Sequence, residues 1–336
     1  MITASPSARL YSPANDWREL WRDAITDAGE LLEAVGLGDR TDLLPPDDAG
    51  FALRVPRGFV ARMRRQDPYD PLLLQVLPQR AEHHQVEGYT ADPVGDMASK
   101  AGHGVLHKYD GRALLIASGS CAVNCRYCFR RHFPYNEEIA AASQWRDALA
   151  QVHADPSIRE LILSGGDPLA LATHKLEELT RGLAGLPQVM RLRIHTRLPV
   201  VLPERIDAAF VSWLGALPLQ KVVVLHANHA NEFDADVDAA CARLREAGAI
   251  LLNQSVLLHG INDDVDTLAG LSERLLAAGV LPYYLHQLDR VRGAAHFEVD
   301  DRVALELQQA LRARLPGYLV PRFVREVAGD AAKRPL

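Results

Sequence analysis

The sequence predicts an α/β fold: a partial (β/α)6 barrel of TIM type over residues 101–315, with a helical region over residues 1–100 before it and a short segment over residues 316–336 after it. Three observations predict it. From Arg112 onward, short apolar runs rich in branched residues start roughly 30 to 45 residues apart, room enough for parallel strands joined by helical crossovers. Amphipathic segments separate the runs, so a strand-then-helix unit repeats. Each run also ends in side chains able to do chemistry, and in parallel barrels those ends share one mouth. A chain of 336 residues that is 48% hydrophobic can bury the core such a barrel needs.

In chain order, "DWRELWRDAITDAGELLEAVGLG" comes first. Trp17, Leu20, Trp21 and Ala24 follow a helical stripe, Asp16 can cap its start and Gly36 or Gly38 its end, so one helix is expected, packed as a lid or flank. The strands are then "RALLIAS", "RELILS", "MRLRIHT", "KVVVLHA", "AILLNQS" and "LPYYLHQ". Helical segments between them include "THKLEELTRGLAGL", "DVDAACARLREAG" and "DTLAGLSERLLAAG". Cys241, in the second of these, shares a face with Val237 and Leu244 and reads as a small buried hydrophobe.

Charge and composition narrow the classes. A net charge of -6 does not favour nucleic acid, although "RYCFRRH" is locally basic. No apolar run approaches a membrane span, and the first residues lack the pattern of a secretory signal, so a cytoplasmic protein is expected. Of four cysteines, Cys121, Cys125 and Cys128 cluster as C-x3-C-x2-C, which fits a metal or redox role better than a disulfide scaffold. Iron-sulfur clusters normally take four cysteines, so three leave one iron open to a further ligand. The alternative is a zinc-stabilised binding module, its site completed by His132. In "SGGDPL", Gly165 and Gly166 allow close backbone approach to a ligand or simply a tight turn.

The cysteine motif, with an aromatic residue beside its last cysteine, resembles the signature of radical S-adenosylmethionine (SAM) enzymes, and "SGGDPL" resembles their glycine-rich motif. More narrowly, "HKYDGRALLI", "RRHF", "LRIHTRLPVVLPERI", "HANHANE", "LNQSVLLHGIND", "LPYYLHQLD" and "GYLVPRFV" together resemble the lysine 2,3-aminomutase family. The resemblance implies a 4Fe-4S cluster on the three cysteines, and SAM near Ser164, Gly165, Gly166, Asp167, His226 and Gln254, with Asn253 assigned more loosely to SAM or phosphate. It implies pyridoxal 5'-phosphate (PLP) on Lys333, with Lys108, Tyr109, Arg112 and Arg197 around it. It places the substrate carboxylate on Arg130, and the side-chain ammonium of L-lysine on Asp289 and Glu326, the latter where relatives usually carry aspartate. Taken by themselves, Asp289 also reads as a loop cap and Glu326 as a solvated charge. The implied activity converts lysine to β-lysine and needs an electron donor. A family form without a C-terminal extension makes (R)-β-lysine for attachment to elongation factor P by a separate ligase. The chain ends three residues after Lys333, and the run "AGDAA" stands before that lysine, so this form is expected, as a monomer or dimer. The rival enzyme reading is an aminomutase of free lysine, glutamate or arginine with no translation role.

Overall fold

Alternation along each strand separates a face packed on helices from a face turned to the barrel interior. In the strand Arg191–Thr196, Leu192, Ile194 and Thr196 are buried, while Arg193 and His195 line a central cavity. The computed structural model describes residues 16–44, 50–138, 145–183 and 185–336. The N-terminal stretch read for a secretory signal lies largely outside them.

The strands are β1 (Lys100–Gly102), β2 (Val105–Tyr109), β3 (Arg112–Ser118), β4 (Glu160–Gly165), β5 (Arg191–Thr196), β6 (Gln220–His226), β7 (Ala249–Val256), β8 (Leu281–His286), β9 (Arg322–Arg325) and β10 (Arg334–Pro335). They lie side by side in sequence order in one open sheet. From β3 to β9 every neighbouring pair is parallel, and the six expected strands are β3 to β8. The three expected helical segments form helices Thr173–Leu183, Ala235–Glu246 and Val265–Ala277.

Both edges go beyond the six-unit expectation. At one edge β1 and β2 run antiparallel to one another and to β3, turning through Asp110 and Gly111, whose φ of 73° suits glycine. At the other, β9 adds a seventh parallel strand and β10 returns antiparallel to it, pairing Arg334 with Arg325. These additions carry Lys108 and Tyr109 on one side and lead from Lys333 on the other, so residues expected around PLP stand at both open edges.

The single N-terminal helix is broken in two, Trp17–Arg22 and Ala28–Ala34. Ile25 between them pairs with Val55 through two backbone hydrogen bonds of 2.9 Å, and Asp27 caps the second helix at 2.8 Å from Glu30 N. A β-branched pair, Ile25-Thr26, followed by a capping aspartate favours extended backbone there over helix. The expected caps hold at both ends: Asp16 accepts from Arg18 N at 3.0 Å, and Gly36 has φ 77°. This region flanks the barrel and shares its core, which runs without a break from Trp17 and Phe59 to Leu198, Phe210 and Val280. Cys241 is fully buried in that core, as its face predicted. Among the described residues no helix is long and apolar enough to cross a membrane.

Candidate active site

After β3 the chain enters the cysteine loop, which is held from below by the N-terminal region. Arg126, fully buried, donates to Glu82 and to the Phe51 carbonyl, and its own N–H reaches Gln75 O at 2.9 Å. Arg131 donates to Glu82 at 2.7 Å and to the Arg126 and Gly293 carbonyls, so this arginine ties the loop down. Burial alone would raise the Glu82 pKa; the two guanidinium groups outweigh it and hold the carboxylate charged. Neither Glu82 nor its partnership was visible from local spacing.

Two glycines bring β4 against the same loop. A Cβ on Gly165 would stand 2.4 Å from Ser118 O, and one on Gly166 would stand 2.7 Å from Ser120 O. Gly166 N and Asp167 N donate to those two carbonyls at 2.6 and 2.9 Å. The close approach made possible here is therefore to the backbone leading into Cys121, and it presents both glycines to the cavity.

Cys121, Cys125 and Cys128 open into one cavity of about 890 Å³. Burial pushes the Cys121 thiol well up and that of Cys128 to about 11, with the other cysteines adding to the effect. Without a bound cation these two are neutral thiols. His132 turns away, its exposed ring Nε2 3.1 Å from the Arg292 carbonyl. No three His, Cys, Asp or Glu side chains among the described residues are arranged around a single ion position. A four-ligand zinc site with His132 is thus not formed, whereas a cluster asks each thiolate to hold a different iron.

The far part of the cavity gathers charges. Lys333 pairs with Glu326 and lies with its ammonium 5.8 Å from the Tyr284 ring centre. Glu326 also accepts from the Tyr109 hydroxyl at 2.6 Å and lies 3.6 Å from Lys108 Nζ. Arg112 stacks 4.7 Å over the Tyr109 ring. Buried Arg130 reaches Asp96 at 2.6 Å and Ser164 Oγ at 3.0 Å. Asp289 lines the cavity, and burial raises its carboxyl to about 7 despite the opposing charge of Lys333. His226 stacks on Tyr127, and burial holds it neutral with a pKa of about 3. Gln254 faces the same space.

Three expectations are corrected. Asp167 has both oxygens occupied: it accepts from Leu169 N at 2.9 Å, Thr196 Oγ1 at 2.8 Å, Arg197 N at 2.7 Å and Leu198 N at 3.1 Å. It staples β4 to the end of β5 and has no lone pair spare for SAM. Arg197, expected beside the PLP phosphate, points to the cysteines, its Nη1 2.7 Å from Cys125 Sγ and Tyr127 Oη and its Nη2 on Gln75 and buried Glu232. Asn253 is likewise spent, exchanging hydrogen bonds with the Ala227 backbone and donating to Ser255.

Asp167→Ala is expected to destabilise the cofactor-free protein by about 3 kcal/mol, since several buried donors lose their acceptor at ~1–3 kcal/mol each before relaxation. Urea denaturation reads this directly, and an unchanged midpoint would contradict the staple.

Several polar atoms of the cavity wall have no partner among the described residues: Arg112 Nε, His195 Nε2 and His286 Nε2, each buried. Orphaned donors and acceptors of this kind mark a space built for polar ligands. Lys333, the cations Lys108, Arg112 and Arg130, and the thiols therefore fit PLP, an amino acid and a cluster with its SAM.

The sequence model of the Radical SAM superfamily matches residues 115–271. The chain is 48% identical over 330 residues to the L-lysine 2,3-aminomutase of Escherichia coli (strain K12), covering 97% of this chain and 96% of that one. The corresponding protein of Haemophilus influenzae is 43% identical, with 98% and 97% covered. That of Clostridium subterminale is 32% identical over 96% of this chain and 78% of its own length.

Proposed function

The chain belongs to the lysine 2,3-aminomutase family of radical SAM enzymes, isomerases that use a 4Fe-4S cluster and SAM, and from that premise we propose that it binds PLP on Lys333 and converts L-lysine to (R)-β-lysine. The observation that supports the reading most is that Lys333, on the outermost edge of the sheet, enters the same cavity as the three cysteines.

When bound, the cluster with SAM supplies hydrogen abstraction, and PLP supplies the π-system across which an amino group migrates. The chain's own residues do the rest. Cys121, Cys125 and Cys128 hold the cluster, and Ser164, Gly165, Gly166, His226 and Gln254 shape the adjoining space for SAM. Lys108 and Arg112 receive the PLP phosphate, with Tyr109 beside them. Arg130 holds the substrate carboxylate. Asp289 and Glu326 receive the side-chain ammonium, Glu326 once Lys333 has given up its own charge. The N-terminal flank supports the cysteine loop and helps keep water from the cavity.

Anaerobic incubation with L-lysine, SAM, PLP and a reductant should yield β-lysine, with glutamate and arginine inert; turnover of either of those in place of lysine would overturn the substrate. We further propose that the product serves β-lysylation of elongation factor P by a separate ligase. The higher identity to the Escherichia coli and Haemophilus influenzae relatives, 48% and 43% against 32% for the clostridial protein, supports this reading. Deleting the gene should leave elongation factor P lighter by the modification, and an unchanged mass would overturn that role.

A carboxyl group with a pKa of about 7 binds an ammonium only when ionised, so affinity for lysine is lost as pH falls through that value. KM for L-lysine should rise roughly tenfold between about pH 8 and about pH 6, following the ionised fraction of Asp289. Asp289→Asn should raise KM and flatten the profile; a wild-type KM independent of pH would contradict the assignment.

A further inference from the structure

Asp96 is 1% exposed and belongs to none of the motifs above, yet it stands where the substrate-carboxylate arginine and a cofactor cation meet. Its Oδ2 accepts from Arg130 Nε at 2.6 Å, and its Oδ1 lies 2.7 Å from Lys108 Nζ. Burial works against the Asp96 charge, but these two cations outweigh it and hold the carboxyl below its ordinary value. The turn that carries it is built for the purpose. Asp92 accepts from Asp96 N at 2.9 Å and Met97 N at 3.0 Å, and Gly95, φ 67°, would bring a Cβ within 2.9 Å of Ala328 Cβ in the chain leading to Lys333.

Resting on the reading of Arg130 as the carboxylate clasp, we propose that Asp96 is the positioning residue of that clasp. A guanidinium group gripped at Nε can rotate about little, and Ser164 Oγ takes Nη1, so the remaining Nη2 edge is turned out in one orientation. Asp96 also neutralises Lys108, which would otherwise repel Arg130 across a poorly solvated space. The same carboxylate thereby sets the distance between the group that holds the amino acid's carboxylate and the groups that hold the cofactor. It acts through Arg130 and Lys108.

The consequence is a selective loss. An enzyme that recognises the substrate through its carboxylate prefers L-lysine to L-lysinamide, which keeps both amines and lacks that charge. Binding of each to the PLP-loaded, SAM-free protein is read from the cofactor's absorbance, without turnover. Wild type should prefer lysine by about tenfold or more, in keeping with a charge-assisted contact. Asp96→Asn should shrink the preference to within about threefold by weakening lysine alone, and Asp96→Glu should restore part of it. A purely structural role would weaken both ligands equally and leave the ratio intact, which would overturn the proposal. If Asp96→Asn does not fold, Asp96→Ser, which also removes the carboxylate, carries the test, and a wild-type ratio in that variant overturns the proposal too. A wild type that binds both ligands equally removes the Arg130 clasp, and the Asp96 proposal with it; normal preference in wild type and in Asp96→Asn removes Asp96 only.

Discussion

Replacing Cys128 with alanine should give a folded protein that holds no stable 4Fe-4S cluster and makes β-lysine only at background. The motif has no ligand to spare, because three thiolates already leave one iron open for SAM. Burial keeps the Cys121 and Cys128 thiols protonated in the metal-free protein, Cys128 with a pKa near 11, so assembly must release their protons. Cluster uptake should accordingly weaken as pH falls. Iron content and visible absorbance after anaerobic reconstitution provide the readout. Cys241→Ala is the matching control: that side chain sits in the core, and its loss costs about 1 kcal/mol of stability with the cluster intact. Full iron loading in Cys128→Ala would refute the cluster assignment.

Lys333→Ala should abolish both turnover and borohydride-trapped PLP, with SAM and cluster binding kept. Capture of PLP on another lysine would overturn the assignment. The variant has a second effect, because Lys333 also latches the end of the chain to Glu326. Burial would raise the Glu326 pKa, but Lys333 outweighs it and the folded value lies below the ordinary one. The latch therefore contributes stability above the ordinary carboxylate range and is lost as pH falls through the depressed folded value. Lys333 is 24% and Glu326 10% exposed, which tempers the full cost of breaking a buried pair to about 1–2 kcal/mol. Backbone amide hydrogen exchange at Arg325 and Arg334, the paired residues of β9 and β10, should be faster in Lys333→Ala than in wild type once corrected for the intrinsic rate at each pH, and wild type in acid should approach the variant.

Strand periodicity placed β3 to β8 and the polar residues at their ends, because alternation is a local property that survives without neighbours. The edges were less legible. β2 is five residues with a mixed face, "VLHKY", and β9 four, "RFVR", too short for periodicity to stand out from a loop. The helix break at Ile25 depended on Val55, thirty residues on, and no single-helix pattern reveals such a partner. Asp167 and Arg197 followed their motifs to the right place in the chain but not to the expected task. Glu82, which caps the 3-10 helix Arg80–His83, and Asp96, in the turn before β1, carried no signal that pointed to the arginines they hold.

By itself the sequence determined the chemistry available: three thiols at cluster spacing, strands of the barrel period, and a lysine near the end of the chain. These depend on covalent spacing and on short-range burial patterns. Only the tertiary structure decided which charge meets which. Arg197 belongs to Glu232 and the cysteines, Arg130 and Lys108 to Asp96, and Lys333 to Glu326. The physical reason is that ion pairing is fixed by distances of a few ångströms across the open sheet and by exclusion of water, and residues far apart in the chain acquire both only when the barrel forms.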